Sequence, residues 1–281
     1  MSEESHLKIF VSVDMEGISG IVDWGQTGFK EPSEYERGRN LMVGDVNAAI
    51  EGILNVSKAE IVVSDGHGFM RNLKAEELHE AATLVIGSPK PLTQMAGINT
   101  GFHAALFIGY HSKMGTRDGI LNHTISGRTI DSVTINGNEV GETGINAAIA
   151  GYHGVPLIFV SGDLAVTKEA ESLISNLHTV SVKEAITRKA AKCLNPKRAR
   201  ELIKIGVSEA LKKRKLIKPY TFKAPIEVVI KYANSLMADA VEFMPLAERV
   251  NGRTIKFVLD DYLKAFGALR ASIYIARAVA D

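Results

Sequence analysis

The stretch Ile9-Phe10-Val11-Ser12-Val13, followed at once by Asp14-Met15-Glu16-Gly17, decides how the rest of the chain is read. An uncharged run rich in β-formers is a strand buried on both faces, because such strands read as continuous apolar runs rather than alternating ones. The acids and the glycine mark its exit. The same grammar recurs downstream: Ile61 to Ser64 runs into Asp65-Gly66-His67-Gly68, and Ala104 to Gly109 runs into Tyr110-His111. Further strands are expected at Thr83–Ile86, Pro156–Val160 and Thr179–Val182. Between the first two, Leu41, Val46, Ala49, Ile50 and Ile53 recur at helical spacing, and Ser33 and Glu36 have the spacing of a capping box. Short helices are expected at Ile145–Tyr152 and near Lys168–Ile174. Val133 to Ile135 turns through Asn136-Gly137, the pair that favours a two-residue hairpin. Strands alternating with helices predict an α/β fold with a largely parallel sheet flanked by helices.

Beyond Val182 the composition changes. Lys183 to Lys218 holds 13 Lys or Arg against 3 Glu. Arg200 to Leu211 has helical periodicity, so one reading is a solvated basic helix face, and the other is a positive rim that draws in substrates bearing a carboxylate. After Pro219 and Pro225 come a strand at Ile226–Tyr232, a helix near Leu236–Glu242, a strand at Thr254–Leu259 and a helix from Asp261 to Val279. The expected organisation is a catalytic α/β domain over 1–182 and a second, smaller α/β domain over 183–281.

Composition narrows the function classes. The 281 residues are 46% hydrophobic and 23% charged, with 33 basic against 32 acidic side chains and a net charge of +1. That suits a folded globular protein and gives no overall charge to attract nucleic acid or an anionic membrane. The apolar runs are of strand length, short of the roughly 20 residues that span a bilayer, so no membrane segment is expected. The single cysteine, Cys193, rules out an intramolecular disulfide, and MSEESHLKIF has no basic segment leading into an apolar signal core; the cytoplasm is the expected compartment. Cys193 reads as a small packed residue within a helix.

Chemistry gathers at the strand exits. Residues two apart in a strand share a face, roughly 7 Å apart, so Asp14 and Glu16 can reach into one cleft, where they repel unless a cation lies between them. Ligands of open α/β sheets sit beyond the carboxyl ends of the strands, where this pair falls. His67, flanked by glycines, and His111 follow two other strands, and Glu142 opens a helix in Val140-Gly141-Glu142-Thr143-Gly144. Asp14, Glu16, His67, His111 and Glu142 form an oxygen and imidazole set without cysteine, suited to zinc, manganese or iron, and five donors exceed what one catalytic zinc takes from protein. Two ions sharing Asp14 would fit. Taken singly, His67 is an exposed loop histidine and Glu142 a first-turn acid favoured by the helix dipole. His123, in Leu121-Asn122-His123-Thr124, has a buried structural histidine as its alternative. No local motif links the segments.

Ser12-Val13-Asp14-Met15-Glu16-Gly17, Ser64-Asp65-Gly66-His67, Gly109-Tyr110-His111, Asn122-His123-Thr124, Val140-Gly141-Glu142-Thr143-Gly144 and the later AITRKAAKCLNP of Ala185 to Pro196 resemble, in order and spacing, the D-aminopeptidase family (peptidase family M55). The resemblance runs from Leu7 to about Val279. It implies a cytoplasmic zinc aminopeptidase with two ions per subunit, acting on short peptides with N-terminal D-residues and assembled as a homo-oligomer, a decamer of two stacked pentameric rings. It makes Asp14, Glu16, His67, His111 and Glu142 the metal ligands and gives His123 a catalytic role. His6, His79, His103, His153 and His178 match no motif position. Two other functions stay open at this stage. One is a two-metal hydrolase acting on a phosphoester or another amide, although no P-loop-type glycine-rich stretch is present; the other is a non-catalytic ligand-binding protein on the same fold.

Overall fold

The structure, a computed structural model, describes residues 6–280. In chain order these form β1 (Leu7–Val13), α1 (Pro32–Leu54), β2 (Ala59–Asp65), β3 (Ala82–Val85), β4 (Ala104–Tyr110), β5 (Ile130–Ile135) and β6 (Asn138–Glu139). Then come α2 (Glu142–Tyr152), β7 (Leu157–Asp163), α3 (Leu164–Leu173), β8 (His178–Thr187), β9 (Ala190–Cys193) and α4 (Pro196–Lys213). The chain ends with β10 (Ile226–Tyr232), α5 (Ser235–Val241), β11 (Glu248–Asn251), β12 (Thr254–Leu259) and α6 (Tyr262–Ala278).

A seven-stranded sheet runs in the order β3-β2-β1-β4-β7-β8-β9. It is parallel except for the β8–β9 hairpin at its edge. The central strands are the apolar runs read from sequence: every residue of β4 and β7 is buried, as is nearly all of β1. Crossover helices cover such a sheet on both sides, which is why these strands carry no polar face. α1 buries Met42, Val46, Ala49, Ile50 and Ile53 and packs against α4, which buries Ala199, Ile203, Val207 and Leu211. The basic face of α4 meets acids of α1: Lys204 pairs with Glu51 at 2.7 Å, and Arg200 approaches Asp45 at 3.5 Å.

A second, antiparallel sheet of five strands runs β11-β12-β10-β5-β6, covered by α5 and α6. Its β5–β6 hairpin turns through Asn136 and Gly137, both at positive φ (48° and 79°), as a two-residue primed turn requires. The sheets interleave along the chain. β5 and β6 precede residue 182 yet belong to the second sheet, whereas β9 and α4 follow it and pack with the first, so the sheets do not divide where the basic composition begins.

Local details also differ from expectation. α1 starts at Pro32, whose missing N–H costs nothing at that position, and no Ser33–Glu36 capping box forms. AITRKAAKCLNP spans the β8–β9 hairpin rather than a helix, and Cys193 is exposed on β9. Strand alternation there leaves one face to solvent, which the apolar count alone does not reveal. Among the described residues no helix is long and apolar enough to cross a membrane.

Candidate metal centre

From β1 the chain proceeds to β2 and β3 on one side, while β4, β7 and β8 build out on the other. The crevice beyond the carboxyl ends of β1 and β4 is therefore the switch point of the sheet, where side chains from both directions meet without a neighbouring strand to cover them. Asp14 and Glu16 do not share a strand face, because β1 ends at Val13. A turn brings them together instead. The Asp14 N–H donates to the Ile108 carbonyl (2.9 Å), the Gly17 N–H to the Gly109 carbonyl (2.8 Å) and the Gly66 N–H to the Val13 carbonyl (2.7 Å), stitching the exits of β1, β2 and β4 together. Gly17 is required by space: a Cβ there would lie 1.8 Å from the Tyr110 carbonyl oxygen.

Five side chains from four segments converge in this crevice. The His67 Nδ1 lies 2.9 Å from a Glu16 oxygen and 3.3 Å from an Asp14 oxygen. The His111 Nε2 lies 3.4 Å from Asp14 and 3.3 Å from Glu142. Donor atoms of Asp14, Glu16 and His111 sit within 4.8 Å of one another, and so do those of His111, His123 and Glu142. His111 thus belongs to both groups, while Asp14 bridges His67 and His111 through its two oxygens. His123 stacks on His111 with ring centroids 4.1 Å apart, and its Nε2 faces Glu142 at 3.8 Å. Asp14, Glu16, His111 and Glu142 are buried; the side chains of His67 and His123 keep a narrow solvent edge.

Backbone carbonyls set the imidazoles. The His67 Nε2 is 2.8 Å from the Thr27 carbonyl, the His111 Nδ1 3.0 Å from the Ser112 carbonyl and the His123 Nδ1 3.0 Å from the Leu121 carbonyl. A carbonyl can only accept, so each of those nitrogens donates, and the opposite nitrogens of His67 and His111 face the carboxylates, where a proton or a metal ion can be held between them, the orientation of metal-binding histidines. Protons otherwise do the work of a cation here. Burial pushes Asp14 up, but hydrogen bonds and charge from His111 and His67 outweigh it and hold its carboxyl well below the usual range. Burial opposes charge on His67 and His111 too, yet Glu16, Asp14 and Glu142 raise both well above an ordinary imidazole. His123 goes the other way, lowered by burial and by the charge of His111. The Glu16 Oε2 is met at 2.9 Å by the His67 Nδ1, while the buried His111 Nε2 lies between Asp14 and Glu142 at 3.4 and 3.3 Å, too long for a strong hydrogen bond to either.

Comparisons with known proteins give the family of the chain. Residues 7–271 match the Peptidase_M55 family, described as D-aminopeptidase. The chain belongs to that family. It is 39% identical over 267 residues to a D-aminopeptidase of Bacillus subtilis (strain 168), covering 94% of this chain and 95% of that protein. Among solved structures it resembles the Zn-dependent D-aminopeptidase DppA from Bacillus subtilis, described as a self-compartmentalizing protease. That match has a TM-score of 0.95 and 36% identity and covers 98% of this chain and all of the other.

In this D-aminopeptidase family member a supporting layer surrounds the donors, and sequence reading missed it. The Gln94 amide donates to Glu142 at 2.7 Å and reaches Asp14 at 3.4 Å, while its carbonyl accepts from Asn146 (2.6 Å). Asn146 also donates to the Tyr110 hydroxyl, itself 2.7 Å from Ser12. The Ile125 N–H donates to Glu142 at 2.7 Å. Asp65 accepts from the backbone N–H groups of Asn72 and Leu73 and from the Asn72 amide, holding the loop that carries His67. The buried Lys183 ammonium donates to the carbonyls of Glu16 (2.5 Å), Ile18 (2.9 Å) and Ile21 (2.5 Å), anchoring the turn behind Glu16 from β8. Asp65 stands two residues before His67 in a motif already noticed; Gln94 and Lys183 carry no local sign. His79 and His103 accept nearby backbone N–H groups far from the crevice.

Proposed function

We propose that this chain is a zinc-dependent aminopeptidase that removes N-terminal residues, D-residues among them, from short peptides. Asp14, Glu16, His67, His111 and Glu142 hold two zinc ions per subunit in this reading, and His123 serves the reaction beside them. The carrying observation is the convergence of three buried carboxylates with three imidazoles, whose donor atoms fall into two groups, Asp14–Glu16–His111 and His111–His123–Glu142, each within 4.8 Å. Carboxylates gathered this closely repel unless cations lie among them, and an oxygen-and-nitrogen donor set fits zinc. Bound there, the ions would lower the pKa of a water, polarise the scissile carbonyl and spread the charge of the tetrahedral transition state.

The chain's own groups supply the rest. His123 has a lowered pKa and an Nε2 free to accept a proton, so it stands ready at neutral pH as a base or nucleophile. Gln94 and the Ile125 N–H fix the two oxygens of Glu142, which keeps that carboxylate from rotating as charge shifts around it. Trp24 packs edge-on against His123, ring centroids 5.5 Å apart, and shields one side of the imidazole from water. A homo-oligomer in the cytoplasm, arranged as two pentameric rings, completes the proposal; the relative's description as self-compartmentalizing supports it.

Elemental analysis of the purified protein, paired with amine release from D- and L-alanyl peptides before and after chelation, tests the reading. About two zinc equivalents per chain with chelator-sensitive amine release are expected, and the D to L ratio defines the stereochemistry. Metal without amine release would point to another amide or an ester as substrate. Failure to take up zinc at all would overturn the ligand assignment.

A further inference from the structure

The family-like stretch that includes Thr187-Arg188-Lys189 lies far along the chain from every metal donor, yet the fold brings its turn to the mouth of the centre. Two hydrogen bonds pin it to the segment that carries His123. The Leu121 N–H donates to the Arg188 carbonyl at 2.9 Å, and the Arg188 guanidinium donates to the Asn122 carbonyl at 2.7 Å. The guanidinium also lies over the Trp24 ring, 6.0 Å from its centroid, and Trp24 in turn meets His123. A planar cation is thus held in place by a carbonyl and an indole, with its side chain still at the surface.

Lys189 is neutralised by Asp23 at 2.6 Å. Arg188 has no carboxylate within ion-pairing distance among the described residues, and its bond to Asn122 uses only one of five N–H donors. A positioned guanidinium with open donors beside a hydrolytic centre matches one chemical group above others, a carboxylate taken in two parallel hydrogen bonds.

Resting on the aminopeptidase reading above, we propose that Arg188 binds the C-terminal carboxylate of the substrate and so makes the enzyme selective for di- and tripeptides with a free carboxyl end. The two ring distances bound the separation of His123 from the guanidinium at about 11.5 Å. An extended peptide advances about 3.5 Å per residue, and the ion pair spans about 3 Å more. With the scissile bond beside His123, one or two residues therefore reach Arg188, and a long chain would have to turn away. Of the basic segment beyond Val182, this is the residue that forms a rim; on α4, Arg200 and Lys204 face acids of α1, and Arg198 and Lys212 pair within the helix.

The test compares a D-alanyl dipeptide with its C-terminal amide on the zinc-loaded enzyme, for the parent chain, Arg188→Met, Arg188→Lys and Lys189→Met. The parent should favour the free acid by about 10- to 100-fold, the worth of a charge-assisted contact, chiefly through KM. Arg188→Met should bring that ratio close to one, Arg188→Lys should restore part of it, and Lys189→Met should keep it. A parent enzyme that cleaves acid and amide equally well would overturn the proposal. So would an Arg188→Met variant that slows both substrates by the same factor, since that is the signature of a role confined to holding Asn122 and Trp24. If neither peptide is cleaved, the aminopeptidase reading falls by itself. Calorimetric binding of the same two peptides then decides Arg188, equal affinity in the parent chain refuting it.

Discussion

Gly17→Ala places one methyl group where the exits of β1 and β4 touch. The new Cβ would sit 1.8 Å from the Tyr110 carbonyl oxygen and 2.6 Å from its carbon, both backbone atoms, where real contacts do not fall below 3.0 Å. The two exits must therefore part by at least 1.2 Å. That stretches the 2.8 Å bond from the Gly17 N–H to the Gly109 carbonyl beyond hydrogen-bond range. The displacement falls next to Glu16 on one side and His111 on the other. Metal sites hold their ligand distances to about 0.2 Å, so the strain is several times what the centre can absorb. Overpacking of this kind costs about 1–3 kcal/mol of stability. Zinc affinity should drop by at least the 10- to 100-fold seen when a supporting contact is removed. A competition titration against a chromophoric chelator reads the affinity, and urea denaturation of the chelated protein reads the stability separately. Gly252→Ala is the control, because nothing lies within 4 Å of a Cβ there and its φ is ordinary. A Gly17→Ala protein that binds zinc as tightly as the control would refute the reasoning.

Three further outcomes follow from the same geometry. His123→Ala should keep full zinc content and unfold like the parent but lose about 10²- to 10⁴-fold in kcat, the range for a positioned proton-transfer group; normal turnover would remove His123 from the reaction. Lys183→Met strips the only hydrogen bonds from Lys183 to the three carbonyls behind Glu16, at about 1–3 kcal/mol each, while relieving the burial that pushes the ammonium pKa down to about 8, worth about 3 kcal/mol. A net loss of about 3 kcal/mol in denaturation is expected, and unchanged stability would show that water replaces the lysine. Asp45 is pushed up from 3.8 to about 6 by burial, against hydrogen bonds from Ser19 and the charge of Arg200. Between those values the folded state holds a proton that the unfolded chain has released, so this group lowers stability as pH rises from about 4 to 6. Asp45→Asn should flatten that part of the stability curve and gain up to about 3 kcal/mol at pH 7; a parallel curve for the variant would place the carboxyl's titration elsewhere.

The parallel sheet, its strand exits and the acids and histidines that converge beyond them were legible in the linear chain. Buried strands leave long, largely apolar runs, and the acids and histidines just past them, Asp14, His67 and His111, stand out against those runs. The Asn136-Gly137 hairpin was equally plain, since its positive φ values restrict the residues that fit. These are local signals, set by neighbours along the backbone.

The sequence by itself determined most of the elements of the parallel sheet and the polar side chains at its strand exits. Tertiary structure decided what depends on residues far apart in the chain: that Asp14 and Glu16 meet through a turn stitched to β4 rather than along a strand face, that β5 and β6 leave the first sheet for the second, and that Cys193 faces solvent from a hairpin. It also decided that Gln94 braces Glu142, that Lys183 anchors the Glu16 turn from 167 residues away, and that Arg188 stands over Trp24 at the mouth of the centre. The reason is physical: a glutamine, a lysine or an arginine acquires such a role only from the backbone carbonyls, rings and carboxylates that packing places beside it, and no spacing rule along the chain encodes that company.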